Sequence, residues 1–111
     1  MKPVYIDDVS EIIAALKREA LSLNRGVQIE LIGGLKERGF TSHDVDISVD
    51  LPLPCLDPED EIFGILNKYG NIIHHKFKLE LDVTFLYENE CLYKLDEHGF
   101  IEVNDAAAWQ Q

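Results

Sequence analysis

The chain has 111 residues, of which 46% are hydrophobic, and 21 acidic against 10 basic side chains give it a formal net charge of −11. This length holds one domain with a real core, and a mean hydropathy of −0.10 without a long apolar run excludes a membrane span. The charge argues against bare nucleic acid as a partner, because affinity for a phosphate backbone comes mainly from Lys and Arg; it does not exclude a nucleotide held through a cation, which inverts the local charge logic.

Met1-Lys2-Pro3 leads straight into acidic residues, so no signal peptide is visible. Cys55 and Cys91 match no metal-ligand spacing and read as separate reduced thiols of a cytoplasmic protein. Asp8-Val9-Ser10-Glu11 is a helix start, with acidic groups at the positive end of the dipole. Ile12, Ile13, Leu16, Ala20 and Leu23 continue it as an apolar stripe, and Asn24-Arg25-Gly26 ends it. Val27 to Ile32 reads as a strand, broken by Gly33-Gly34. Leu35 to Arg38 is at most a short helical turn, closed by Gly39.

Asp44 to Leu51 alternates cleanly. Val45, Ile47, Val49 and Leu51 face a core, and Asp44, Asp46, Ser48 and Asp50 face the other way. Pro52 to Pro58 is a loop. Asp57 to Glu61 opens a second helix with proline in its first turn; Ile62, Phe63, Ile65 and Leu66 are its buried side, and Tyr69-Gly70-Asn71 stops it. Ile72 to Tyr87 reads as one long strand, with Lys76, Lys78, Glu80, Asp82 and Thr84 on one face and His74 sharing it. Cys91 to Val103 reads as a hairpin around Asp96-Glu97-His98-Gly99, and Ala106 to Trp109 as a short helix or a frayed end. The order α-β-β-α-β-(β) predicts a small α+β (α/β-like) domain, a mixed sheet with helices on one face. One domain over residues 1–111 is expected, its core about 8–87 and its C-terminal hairpin or extension 88–111.

Three features carry chemistry. Residues two apart in a strand share a face about 6.5–7 Å apart, so Asp44 and Asp46 aim two carboxylates into one space. Such a pair can bridge two divalent ions about 3.5–4 Å apart. Asp82, alone in another apolar strand, can close the site from the side. Carboxylate oxygens are the hard ligands that Mg2+, or Mn2+ in its place, prefers. Gly33 and Gly34 lack side chains, so the backbone can turn sharply and approach a ligand, and a helical turn beginning at Leu35 would offer free N–H groups to phosphate. Lys36, Arg38 and Lys78 are candidate triphosphate contacts, with Lys76 a further one. His43 precedes Asp44 and points to the opposite face if the strand has begun. Taken alone, the alternating acids are an ordinary solvated strand face, and Gly33-Gly34 an ordinary turn.

Together, Ile32-Gly33-Gly34, then Asp44-Val45-Asp46-Ile47, then Leu81-Asp82-Val83 resemble the minimal domain of the DNA polymerase β-type nucleotidyltransferase superfamily. The resemblance spans roughly residues 8–87. It implies a nucleotidyltransferase-like fold, with Asp44, Asp46 and Asp82 as catalytic metal ligands and Asp82 also helping to deprotonate the acceptor. It further implies that Gly33 and Gly34 contact the phosphates of a nucleoside triphosphate such as ATP. Many members carry Ser where Gly34 stands. The expected activity is transfer of a nucleoside monophosphate to a hydroxyl on a protein side chain or a small molecule. The alternative is a catalytically idle binding module, since minimal members also act as antitoxins beside a helical protein partner; a metal-binding regulatory domain is a third reading.

Overall fold

Helix α1 (Ile6–Ser22) begins where the backbone N–H of Tyr5 donates to the Asp8 carboxylate, 2.9 Å away, with Asp7 and Asp8 in the first turn. Its start therefore lies two residues before the expected one, because an acid three residues past the cap secures it. The computed structural model describes residues 3–96 and 99–102. Among these, β1 (Val4–Tyr5) precedes α1, which is followed by β2 (Gln28–Ile32), α2 (Gly33–Arg38), β3 (Phe40–Thr41), β4 (Asp44–Asp50), α3 (Glu61–Phe77), β5 (Glu80–Tyr87), β6 (Glu90–Asp96) and β7 (Gly99–Glu102).

Five strands form one sheet in the order β2-β4-β5-β6-β7; β4 and β5 run parallel and every other neighbouring pair is antiparallel. Parallel neighbours need a long crossover, and α3 supplies it. Its stripe Ile62, Leu66, Tyr69 and Ile73 packs with Val9, Ile13, Leu16 and Ala20 of α1 against Val45, Ile47, Val49, Val83 and Phe85 of the sheet. The fold is thus a mixed α+β structure with its core between the two long helices and one sheet face. Strand alternation puts Asp44, Asp46, Ser48 and Asp50 on the other face, beside Glu80, Asp82 and Thr84.

The long strand expected over Ile72 to Tyr87 is corrected. Helix α3 runs through Tyr69-Gly70-Asn71 to Phe77, and β5 starts only at Glu80. Tyr69 and Ile73 extend the buried stripe by two helical turns, which outweighs the roughly 1 kcal/mol that a helical glycine costs relative to alanine. Gly70 also lies close to β5, since a Cβ there would sit 3.7 Å from Leu81. The helix ends at Lys78, which turns left-handed (φ 62°) and donates its N–H to the His74 carbonyl at 2.8 Å. His74 and Lys76 are therefore helical and Lys78 is a cap, so none of them takes a place on the strand face of Asp82.

The β6–β7 hairpin forms as expected, with Asp96 opposite Gly99. Its tip residues Glu97 and His98, its last residue Val103, and the tail reading at Ala106 to Trp109 lie outside the described residues. Two features were not anticipated. Glu88 and Asn89 both take positive φ and make a tight β5–β6 turn, and β1 pairs with β3 in a small separate sheet. Cys55 and Cys91 are unpaired thiols. Among the described residues no helix is long and apolar enough to cross a membrane.

Candidate metal centre

Asp46 of β4 lies directly opposite Asp82 of β5 in the parallel register, and Asp44 is two residues earlier on the same face. One carboxylate oxygen from each of the three falls within 4.8 Å of the other two, and each residue is half-buried. The crossover dictates this convergence. Because β4 and β5 start at the same end of the sheet, acids near the start of each strand meet.

The antiparallel neighbour on the other side delivers the glycines. Ile32, the last residue of β2, pairs with Asp46, so the chain leaves the sheet beside that carboxylate. Gly33 adopts φ +71°, and a Cβ there would overlap Asp46 Oδ2 and lie 2.9 Å from its Cβ. Both the left-handed backbone and the space require glycine. At Gly34 a Cβ would overlap Arg38 Nη2 and lie 3.1 Å from Cζ, so the Arg38 guanidinium lies over this glycine. Helix α2 is anchored by buried Leu35 and closed by Gly39 at φ 85°, whose N–H donates to the Leu35 carbonyl at 2.9 Å.

The electrostatics are those of crowded acids. Burial, a hydrogen bond with Asp44 that favours the protonated form, and the charges of Asp44, Asp46 and Asp96 push the Asp82 carboxyl up to about 7. Burial first and the Asp44 charge second raise Asp46, against the opposing pull of the Lys94 ammonium. Like charges held together favour protonation, and a divalent cation would remove the same penalty. Three half-buried carboxylates that, among the described residues, form no ion pair with an arginine are a donor set that suits Mg2+ or Mn2+.

Lys94 and Asp96 were not anticipated as part of this site. Thr84 of β5 pairs with Lys94 of β6, which sets Lys94 and Asp96 on the sheet face that carries the triad. Their alternation about Leu95 is visible in the chain, but only the β5–β6 register says that they meet Asp46 and Asp82.

Of the predicted phosphate contacts, Gly33 adjoins the triad at Asp46, and Gly34 follows it with the Arg38 guanidinium over it. Lys36 instead lines a groove of about 350 Å³ with Lys17 and Ser10 of α1 and Glu30 of β2, a groove that none of the three aspartates lines. Lys78 caps α3, and its ammonium donates to the His75 carbonyl at 3.4 Å. His74 pairs with Glu80 at 3.1 Å. A cleft of about 320 Å³ opens between α3 and the helix-facing side of β5–β6, lined by Asn67, Asn71, Leu81, Val83 and Leu95 with Glu80 and Asp96 at its edge, and none of the three aspartates lines it. Comparison of the chain with protein-family models, with curated proteins and with solved structures gives no match.

Proposed function

We propose that this protein is a magnesium- or manganese-dependent nucleotidyltransferase. The single observation that carries the reading is the convergence of Asp44, Asp46 and Asp82 within 4.8 Å, with Gly33 packed against Asp46. The resemblance of these residues to the DNA polymerase β-type pattern supports it. Asp44 and Asp46 would hold the cation, with Asp82 completing the set. When bound, the cation supplies Lewis-acid polarisation of the phosphates and neutralises their charge.

The chain's own residues supply the rest. Gly33 and Gly34 let a triphosphate approach the backbone beside Asp46, and Arg38 sits where it can pair with phosphate oxygens. The acceptor hydroxyl attacks the α-phosphorus; the new P–O bond forms as the bond to the β-phosphate oxygen breaks, and pyrophosphate leaves. The hydroxyl proton would pass to the Asp82 carboxylate, the acid of the triad that comes from a different strand. The acceptor would be a small molecule or a protein side chain that brings its hydroxyl to the open sheet face beside Asp82. Nucleic acid is disfavoured by the charge of −11, and the two unpaired thiols fit a cytoplasmic location.

A second reading, an idle binding module that docks on a protein partner in the manner of an antitoxin, is favoured by one observation. Gly34 offers no hydroxyl to phosphate, and the Arg38 side chain fills the space above it. Calorimetric titration with each nucleoside triphosphate in magnesium, paired with an assay of pyrophosphate release across hydroxyl acceptors, tests the reading. Magnesium-dependent binding with release supports the enzyme, binding without release supports the idle module, and metal binding without nucleotide rejects both.

A further inference from the structure

Beyond the carboxylates, the Arg38 side chain leads to an exposed aromatic pair. Its guanidinium lies over Gly34, and the Cζ of the same group is 5.6 Å from the centroid of the Phe40 ring. Tyr5 stands directly opposite Phe40 in the β1–β3 register, so the two rings share one face, with centroids 6.3 Å apart. Tyr5 is 55% exposed and Phe40 41%, whereas their strand neighbours Val4 and Thr41 are buried. The small sheet is fixed by the Ile6 N–H donating to the Gly39 carbonyl at 2.9 Å, so the rings are held on a rigid support. A short strand that buries one residue and exposes an aromatic beside it, twice over, spends solvation on a surface that the fold does not need.

Resting on the nucleotidyltransferase reading, we propose that Phe40 and Tyr5 form the platform on which the base of the nucleoside triphosphate stacks. Asp46, Gly33, Gly34, Arg38, Phe40 and Tyr5 make one unbroken run of neighbours from carboxylate to exposed ring. The Arg38 guanidinium lies between Gly34 and the Phe40 ring. It is a cation with a flexible stem, so a triphosphate seated against Gly33 and Gly34 draws the guanidinium to its oxygens and uncovers the Phe40 ring for the base. Every base has a π-face, so the platform accepts purines and pyrimidines alike and favours the larger purine overlap. It selects a nucleotide over a bare polyphosphate.

The test is calorimetry on the full chain in magnesium with two titrants, ATP and inorganic tripolyphosphate, for the parent, Phe40→Leu, Phe40→Trp and Arg38→Gln. The parent is expected to bind ATP more tightly than tripolyphosphate. Phe40→Leu should weaken ATP about tenfold, within the range that one base–aromatic stack carries, and leave tripolyphosphate unchanged. Phe40→Trp should restore ATP binding, and Arg38→Gln should weaken both titrants. Unchanged magnesium affinity in Phe40→Leu shows that the fold is intact. If Phe40→Leu binds ATP as the parent does, the platform is wrong and the metal–triphosphate reading stands. If the parent binds neither titrant, the nucleotide reading falls and the platform with it. If Phe40→Leu abolishes a dimer seen in sedimentation and spares ATP binding, the rings are an interface between copies and the proposal is overturned.

Discussion

Asp60 and Asp82 are both aspartates at the margin of a regular element, and the chain treats them in opposite ways. Asp60 caps α3: its Oδ1 accepts the Ile62 N–H at 2.9 Å, and its two oxygens take the two Nη groups of Arg25 at 2.6 and 2.5 Å. The Arg25 hydrogen bonds hold its carboxyl below the usual range. Asp82 meets two carboxylates at close quarters and feels a third from Asp96, and its carboxyl rises to about 7. Glu19 resembles Asp60: hydrogen bonds from Lys68, 2.8 Å away, and from the Tyr69 hydroxyl lower its carboxyl. Where this fold uses an acid to fasten elements together, it supplies a cation or a backbone donor. At the triad it crowds acids together, and the Lys94 ammonium only partly opposes the rise at Asp46. Strain of that kind persists where a ligand relieves it.

The sharpest way to break the comparison is to neutralise one acid at a time in the proposed enzyme. Asp82→Asn should lower turnover about 100- to 10,000-fold, the range typical of a lost general base, and weaken nucleotide binding much less. Asp44→Asn and Asp46→Asn should damage both, because in the proposed enzyme both residues would hold the cation that carries the triphosphate. Pyrophosphate release measured beside nucleotide affinity separates the two patterns. If Asp82→Asn keeps near-parental turnover, Asp82 is not the base.

The glycines sharpen the same contrast at the level of the backbone. Gly33→Ala forces a Cβ onto Asp46 in a left-handed conformation, so it should cost roughly 1–3 kcal/mol of stability and abolish metal binding. At Gly34 φ is not left-handed, and a Cβ meets only the mobile end of Arg38. Gly34→Ala should therefore fold nearly as well as the parent. Urea unfolding of the two variants checks the ranking, and equal losses would show that Gly33 is only a turn.

The triad was legible in the chain because alternation alone sets Asp44 and Asp46 on one face, and three short motifs fix the order of the parts. Its surroundings were less legible. Gly70-Asn71 punctuates the sequence as a stop, yet the helix continues because Ile73 finds a place in the core; a tertiary contact overrode a local signal. That misplaced boundary put His74, Lys76 and Lys78 on a strand that does not exist. Lys94 and Asp96 belong to the site through cross-strand register, which is set by the two-residue turn at Glu88-Asn89 together with a one-residue shift in the pairing at Phe85-Leu86. The β1–β3 pair was invisible for another reason: two residues are too few for any periodicity.

Acidity gives a third test. A carboxyl whose folded value is raised binds its proton more tightly in the native state, so its contribution to stability is greatest in acid and is lost as pH climbs. For Asp82 the loss runs from about 4, its ordinary range, to about 7. The metal-free protein should lose stability across that window, and magnesium should restore it. The upward shift in melting temperature with magnesium should thus be small near pH 5 and large near pH 8. In Asp82→Asn the slope should flatten, and the metal-free protein at pH 8 should be more stable than the parent. Melts at several pH values with and without magnesium decide this; a parent whose magnesium shift does not change with pH would place the cation away from Asp82.

Asp60 should show the opposite sign and the smallest effect. Its lowered carboxyl contributes stability above its ordinary range, a contribution lost as pH falls below about 4. The side chain is only 7% exposed, so Asp60→Ala removes a shielded cap and leaves the Ile62 N–H without its acceptor. A lost N-cap of this kind costs about 1 kcal/mol. Arg25→Ala should cost less, because Arg25 is 42% exposed and the cap bond to Ile62 survives it. Neither variant should alter magnesium affinity. Urea unfolding at pH 7 and pH 3 checks both parts: the difference between parent and Asp60→Ala should be present at pH 7 and shrink at pH 3, where the aspartate of the unfolded chain takes up a proton. A difference that grew in acid would mean that Asp60 is under the same strain as Asp82, and the contrast between fastening acids and site acids would be lost.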